Sequence, residues 1–570
     1  MRSFLEVVLV AAAAGALGIG LPATASACGG FFCNAAQPVN QAAEGIIFAD
    51  NGDGTTTAVI QIQYQGPAQN FSWLLPISSV PKSDADIGIA SNLALQRLQS
   101  ATNPNYSLTT RVEGTCRESD DDRGCGASAR SFASGSEAPP KAVDPSRGDD
   151  GVVVEASGVV GAFQWTVISL DKTLVDPAEA AEQWLKENGY DVPSSAPALL
   201  GPYLKEGLFL LALRLTKGAD SGSIRPIVLT YQGSQPSIPV KLTAVAANDD
   251  MGVLTWVLGK SRAVPANYLS LELNEARINW FNAAGNYNTV VSEAANDAGG
   301  QGFVTELAGP TDSLAGRIWT SPDQANWDEL LRSSGLDGTT FFRRALSLFG
   351  QWDGFWDATR ISVTSPENPS LDALKACPAC YTIQVSSADY LAQLDKLVVT
   401  PVKRVQNLID AHPLITRLYT TLSANEMTLD PLFSFNHDLP NLSNVHSAER
   451  VIACNPGVYQ SEAPWHVELP QGGTVWGSTS AAVWPTELAS LPPNRVITRA
   501  ADSGPGKVVE DNSATIASEL ARHNAGKSAP ADAGGGCAAG RGRSRGGWWA
   551  FGALLAALLR RRRRAAQTMK

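Results

Sequence analysis

The stretch Glu44–Gly66, EGIIFADNGDGTTTAVIQIQYQG, decides the fold class of this 570-residue chain. Two runs rich in β-branched residues flank Asn51-Gly52-Asp53-Gly54, a turn sequence tolerant of positive φ, so a hairpin is expected. In the second run Ile60, Ile62 and Tyr64 alternate with Val59, Gln61 and Gln63, giving one apolar and one mostly polar face. The acidic turn lacks the ligand spacing and closing Glu of an EF-hand. NFSWLLPI (70–77) is expected to pair back after a turn at Gly66-Pro67. A second strand–turn–strand unit, IRPIVLTYQGSQPSIPVKLTAV (224–245), repeats Tyr-Gln-Gly at Tyr231–Gly233. It is either a duplicated hairpin or a second hairpin sharing turn chemistry.

Working outward, FQWTVISL (163–170), LFLLALRLT (208–216), VLTWVLG (253–259) and YLSLELN (268–274) read as further strands. Between them a helix is signed by Asp176 as cap, Pro177 in the first turn, an Ala181/Trp184/Leu185 stripe and Asn188-Gly189 as stop, and APALLGPYLKEG (196–207) gives another. From about residue 285 the period becomes helical. SPDQANWDELLRSSG (321–335) has Ser321 as cap, Pro322 at the first position and Gly335 as stop. TTFFRRALSLFG (339–350), ADYLAQLDKLVV (388–399) and VKRVQNLIDAHPLITRLYTTLS (402–423) follow as helices. Residues 450–525 return to short strands carrying Trp465, Trp476 and Trp484. The expectation is an α+β protein: a β-rich, antiparallel, sandwich-like N-terminal half, a helical region, and a short β return.

The ends give an address. VVLVAAAAGALGIGLPA (7–23) followed by Ala25-Ser26-Ala27 is a signal-peptide pattern, with signal peptidase leaving Cys28 first. At the other end Cys537 follows three glycines, and a 12-residue apolar run, Trp548–Leu559, precedes five arginines. That run is shorter than the roughly 20 residues a stable span needs. The three-part order resembles the MYXO-CTERM sorting tags of myxobacterial surface proteins. The resemblance implies transient inner-membrane insertion, cleavage by a processing protease near Cys537, and an anchor on that cysteine; a retained anchor is the alternative. The expected division is a signal peptide at 1–27, a β-rich domain at 28–283 with a disordered-like loop at 114–151, a helix-rich region at 284–525, a linker at 526–536 and the tag at 537–570. Nine basic residues lie beyond Cys537, so removing them from the formal net charge of −11 leaves a body at −20, which excludes nucleic acid as a partner.

Several separate motifs carry a wider resemblance: CGGFFC (28–33), IQIQYQGPAQNFSWLLPI (60–77), WLKENGYDVP (184–193), YLKEGLFLLALRLT (203–216) and EMTLDPLFSFN (426–436). With the 224–245 unit, they look like the family catalogued as domain of unknown function 2330, over about residues 28 to 460. That resemblance implies a recurring exported architecture and no assigned activity, cofactor or catalytic residue.

Eight cysteines in an exported chain point to disulfides. Cys28–Cys33, Cys116–Cys125 and Cys377–Cys380 are close enough to pair locally, which leaves Cys454 odd if Cys537 belongs to the tag. If Cys28 is lipidated instead, the six cysteines 33, 116, 125, 377, 380 and 454 can pair fully, although ASAC is a poor lipoprotein box. The Cys377-Pro-Ala-Cys380 pair follows a helix and precedes a strand, the reverse of a thioredoxin context, so a structural disulfide is favoured. Cys377, Cys380, Cys454 and His446 make a legal but unspaced zinc ligand set. No HExxH, GxSxG or phosphate-loop motif occurs, and most tryptophans fit core positions, with Trp465, Trp476 and Trp484 left as candidate sugar platforms. The reading is an exported, envelope- or surface-anchored binding or structural module without cofactor. The alternative is an extracellular hydrolase, metal-assisted or glycan-active. A cleft lined by converging carboxylates or histidines would favour the enzyme.

Overall fold

The opening hairpin forms as expected. Strands β1 (Asn40–Asp50) and β2 (Thr55–Gln65) are antiparallel, and the turn is locked by its own acids: Asp50 accepts from the Gly52 amide, Asp53 from the Thr55 amide and hydroxyl. Gly52 and Gly54 sit at φ 75° and 88°, where a Cβ would be strained. The computed structural model describes residues 40–65, 71–83, 86–117, 151–171, 173–192, 195–216, 224–245, 247–477 and 482–527. The signal-peptide and tag residues Ala27, Cys28 and Cys537 lie outside the described residues, as do Cys33, Cys125 and most of the 114–151 loop. Among the described residues no helix is long and apolar enough to cross a membrane.

The hairpin belongs to a ten-stranded sheet. Its other members are β4 (Ile87–Ile89), β9 (Ile227–Gln232), β10 (Ala247–Gly259), β12 (Leu269–Leu273), β13 (Gly302–Pro310), β16 (Leu414–Leu422), β21 (Asn494–Arg499) and β22 (Lys507–Asp511). The order is β22-β21-β12-β13-β16-β10-β1-β2-β9-β4, so strands from both sides of residue 283 interleave in one sheet. A four-stranded sheet runs β3 (Ser72–Ile77), β8 (Phe209–Leu215), β7 (Phe163–Leu170), β6 (Val152–Val160). A second four-stranded sheet runs β20 (Thr474–Gly477), β19 (Trp465–Glu468), β18 (Val445–Ala453), β5 (Asn105–Glu113). Two short pairs, β11 (Arg262–Pro265) with β17 (Phe433–Asn436) and β14 (Val363–Thr364) with β15 (Gln384–Val385), complete the strands. At 33% helix and 34% strand neither type dominates, and the fold is α+β.

The helices are α1 (Asn92–Thr102), α2 (Pro177–Glu187), α3 (Ala196–Lys205), α4 (Val240–Thr243), α5 (Tyr287–Asp297) and α6 (Ser321–Arg332). They continue as α7 (Gly338–Phe349), α8 (Phe355–Ser362), α9 (Leu371–Ala376), α10 (Ser387–Leu394), α11 (Thr400–Asp410) and α12 (Ser513–Asn524). α2 matches its sequence signals: Asp176 accepts from the Ala178 and Glu179 amides, and Ala181, Trp184 and Leu185 are buried. α6 starts one residue earlier than its serine suggested. Thr320 is the cap and shares a capping box with Asp323.

Besides the α6 cap, further expectations change: the stretch expected as short strands to about 525 ends in the helix α12, whose Ile516 and Leu520 are buried. β3 does not return to β2 but pairs with β8, because it is apolar on both faces: Trp73, Leu75 and Ile77 enter one core and Leu74 another. The 224–245 unit is no hairpin. β9 pairs with β2 itself, and the second arm coils into α4, since Pro236 and Pro239 cannot donate to a ladder. The helix expected at 402–423 ends at Asp410, just before Pro413, and the β-branched remainder becomes the buried strand β16.

The ten-stranded sheet is covered on both faces. On β10, Met251, Val253 and Val257 join one core, while Leu254, Trp256 and Leu258 join the core built with α1 and α11. The latter face continues sideways, past the end of α1, into a cleft.

Candidate functional site

The residues named from sequence are dispersed. Cys116 bonds Cys454, not Cys125, and the bond ties the C-terminal ends of the parallel neighbours β5 and β18. Cys377 and Cys380 bond each other between α9 and β15. The three sulfurs of the zinc set are therefore all held in disulfides, and His446 is hydrogen-bonded to a glutamate instead. Among the described residues no group of three or more His, Cys, Asp or Glu side chains could hold a metal. Of the candidate platforms, Trp465 and Trp484 are buried, and Trp476 packs on His466 at 4.4 Å between ring centres.

What the fold brings together was not named, apart from His446. In the parallel β5/β18 ladder Tyr106 stands opposite His446, and the two rings stack at 4.5 Å with 11° between planes. His446 Nδ1 lies 2.6 Å from Glu275 Oε1. With the carboxylate ionised, and so only an acceptor, this bond requires the Nδ1–H tautomer and leaves Nε2 for another partner. Glu275 opens a 3-10 turn directly after β12, capped by Asn274. Its amide donates to Gln471, its carbonyl accepts from Trp280, and the residue is 3% exposed. Its second carboxylate oxygen, Oε2, is buried without a hydrogen-bond partner.

Beside it stands Glu306, also 3% exposed. The register of β13 against β16 slips between Thr305 and Leu307, so Glu306 is the extra residue of a β-bulge. Bulges re-aim side chains, which is how an acid in an apolar strand comes to face the cleft. Glu306 accepts from Arg417 Nε and from the Tyr287 hydroxyl at the start of α5. Arg417, on β16, also donates from Nη1 to Thr102 Oγ1 at 2.9 Å and to the Gln99 carbonyl at 3.2 Å. The C-terminal carbonyls of α1 favour that cation.

Two cavities meet at this wall, and Tyr106, Tyr287 and Glu306 line both. One, of about 730 Å³, runs along the outer strands of the sheet and contains Glu275, His446 and Arg262. The other, of about 580 Å³, lies over the central strands and contains Gln61, Trp256, Arg417 and Tyr419. Both volumes are in the range of small-molecule sites, roughly 300–1,000 Å³. Burial, then the charges of Glu275 and Glu306, push the Tyr106 phenol well above its ordinary value. Burial and Glu306 do the same to Tyr287. Burial pushes Tyr419 up to about 12; Glu306 adds to the shift and Arg417 opposes it. The three phenols are therefore neutral donors at physiological pH. The cleft can hold hydroxyl or amide groups.

Sequence reasoning missed Glu275, Glu306, Arg417, Tyr106 and Tyr287. A usable signal existed for two of them: Glu306 in GFVTELAGP and Arg417 in LITRLYTTL are charges inside otherwise uncharged strand runs.

No curated protein matches the chain. Among solved structures, a mutated baculovirus P35 after caspase cleavage aligns at 12% identity, covering 41% of this chain and 76% of that one. Its TM-score of 0.22 carries no argument about fold or function. The profile of a family described as an uncharacterized protein conserved in bacteria matches residues 22–316, a shorter span than the motifs suggested but more than half of the chain. It includes β1 to β13 with Tyr106, Glu275, Tyr287 and Glu306 and stops before Arg417 and His446. The chain belongs to this family, DUF2330.

Proposed function

We propose that this is an exported, envelope-anchored protein whose body binds a small polar ligand in the cleft at Tyr106, Glu275 and His446. The observation that carries the binding reading is the Glu275 Oε2 atom. A buried acceptor left unmade costs about 1–3 kcal/mol, more when charged, and a donor group of a ligand in the adjoining cavity would offset it. Export is supported by the signal-like N-terminus and by the Cys116–Cys454 and Cys377–Cys380 bonds, which persist in oxidising compartments.

Mass spectrometry of the protein purified from its own envelope, native and denatured, tests both parts. Expected are a chain trimmed near Cys28 and Cys537, intact disulfides, and a small-molecule mass in the native wild type that disappears in Glu275→Gln. A chain starting at Met1 with reduced cysteines would sink export. Equal native and denatured masses would sink binding.

A second reading is favoured by one observation: a histidine oriented through Nδ1 by a buried carboxylate is the arrangement of a general acid–base. On that reading the cleft is the centre of a hydrolase that works without the Cys/His metal set. His446→Gln would then abolish turnover while ligand binding survives.

A further inference from the structure

We propose that the cavity over the central strands takes a neutral saccharide, a proposal that rests on the cleft being a binding site. The argument starts from charge. Glu306 is neutralised by Arg417, and Glu44 at the same cavity accepts the Thr243 hydroxyl at 3.0 Å. A phosphate therefore finds no unpaired cation there, and of the two carboxylates Glu306 is ion-paired while Glu44 is engaged by a hydroxyl.

What the cavity presents instead is amide and phenol. Asn103, Asn105, Asn282 and Asn288 are exposed around its mouth, and Gln61 reaches in from β2. Each amide both donates and accepts, which matches sugar hydroxyls that also do both. Tyr106, Tyr287 and Tyr419 are half-buried, so ring surface is left for the C–H face of a pyranose, and their phenols stay protonated.

Two glycines set where these polar groups lie. Gly45 on β1 stands opposite Leu254, and Gly252 lies two residues earlier on β10, on the same cavity floor. A Cβ on Gly252 would stand 3.1 Å from the Tyr419 hydroxyl, and one on Gly45 would stand 3.0 Å from Gln61 Oε1. Bare backbone there lets the Gln61 amide and the Tyr419 phenol lie close over the two strands, where they line the cavity. The floor strands β1, β10 and β16 are hydrogen-bonded on both sides and offer no free edge for strand addition.

Isothermal titration calorimetry on the purified full chain tests this, with maltose, cellobiose and N,N′-diacetylchitobiose as probes and glycylglutamine and putrescine as competitors of other chemistry. One of the disaccharides is expected to bind. Asn288→Ala, at an exposed position that folding does not need, should weaken it roughly three- to tenfold, the worth of one hydrogen bond. Gly252→Leu, which fills the floor, should abolish it. Disaccharide binding indifferent to both substitutions overturns the proposal. Binding of only the dipeptide or the diamine, weakened by Glu275→Gln, overturns the saccharide assignment but leaves the cleft a binding site. No binding by any of the five probes overturns the binding reading as well.

Discussion

Arg417 and Arg225 are both sealed inside this protein, at 4% and 2% exposure, and the surrounding fold treats them differently. Arg417 is matched at both ends: Nε to a carboxylate, Nη1 to a hydroxyl and a helix-terminal carbonyl, and its Glu306 partner has a second donor in Tyr287. Arg225, between β9 and α8, donates to the Leu397 carbonyl, leaves Nε and Nη2 without hydrogen bonds, and meets Asp357 only at 3.7 Å. Burial lowers its pKa, with Asp357 and Asp353 opposing. Buried charge is expensive, so a fully satisfied pair in a cavity wall points to a requirement beyond stability, whereas an under-satisfied cation between packed layers does not.

That contrast can be broken by mutation. Arg417→Met strands Glu306 as a buried, unpaired carboxylate and should destabilise by about 3–5 kcal/mol, read from urea unfolding. Adding Glu306→Gln should return much of the loss; a double mutant as unstable as the single one would show the pair is not coupled.

A smaller effect sharpens the electrostatic side. Tyr419 holds its proton up to about 12 in the folded state, against an ordinary value of 10.0. Above pH 10 the unfolded chain loses this proton while the folded one keeps it, so the stabilisation is complete below pH 10 and is lost as pH rises to about 12. The slope should amount to about 2 kcal/mol across that window, followed by unfolding curves at stepped pH together with the near-ultraviolet signal of ionised phenol. In Arg417→Met the Tyr419 titration should move higher still, because the cation that opposes Glu306 is gone. Movement downward would contradict the charge assignment.

The smallest change is expected at the other arginine. Arg225→Met should alter stability by no more than about 1 kcal/mol, because the packed apolar replacement removes two unsatisfied donors, and Asp357 keeps Arg360 at 3.6 Å. A loss as large as that at Arg417 would erase the distinction between the two regions.

Local chemistry was legible and long-range pairing was not. Asp176, Pro177 and Gly189 mark both ends of α2 because caps and left-handed stops act within one turn of the chain. The β1–β2 turn was legible for the same reason. β16 was misread because a strand buried on both faces loses the alternation that marks half-buried ones, and its Ile-Thr-Arg-Leu-Tyr run continued a helical period. The cysteines were assigned by proximity in sequence, yet Cys116 bonds Cys454 across 338 positions, because parallel pairing of β5 with β18 brings their ends together.

The candidate site follows the same rule. The sequence by itself determined the α+β class, the capping of α2, the opening hairpin and the segregation of basic charge to the tail, all of which depend on neighbours along the chain. Only the tertiary structure joined Glu275 to His446, 171 residues away, and Glu306 to Arg417, 111 residues away. Those contacts depend on strand order and on a one-residue bulge. Neither is encoded in any local spacing, since register is settled by which faces are buried when the whole sheet closes.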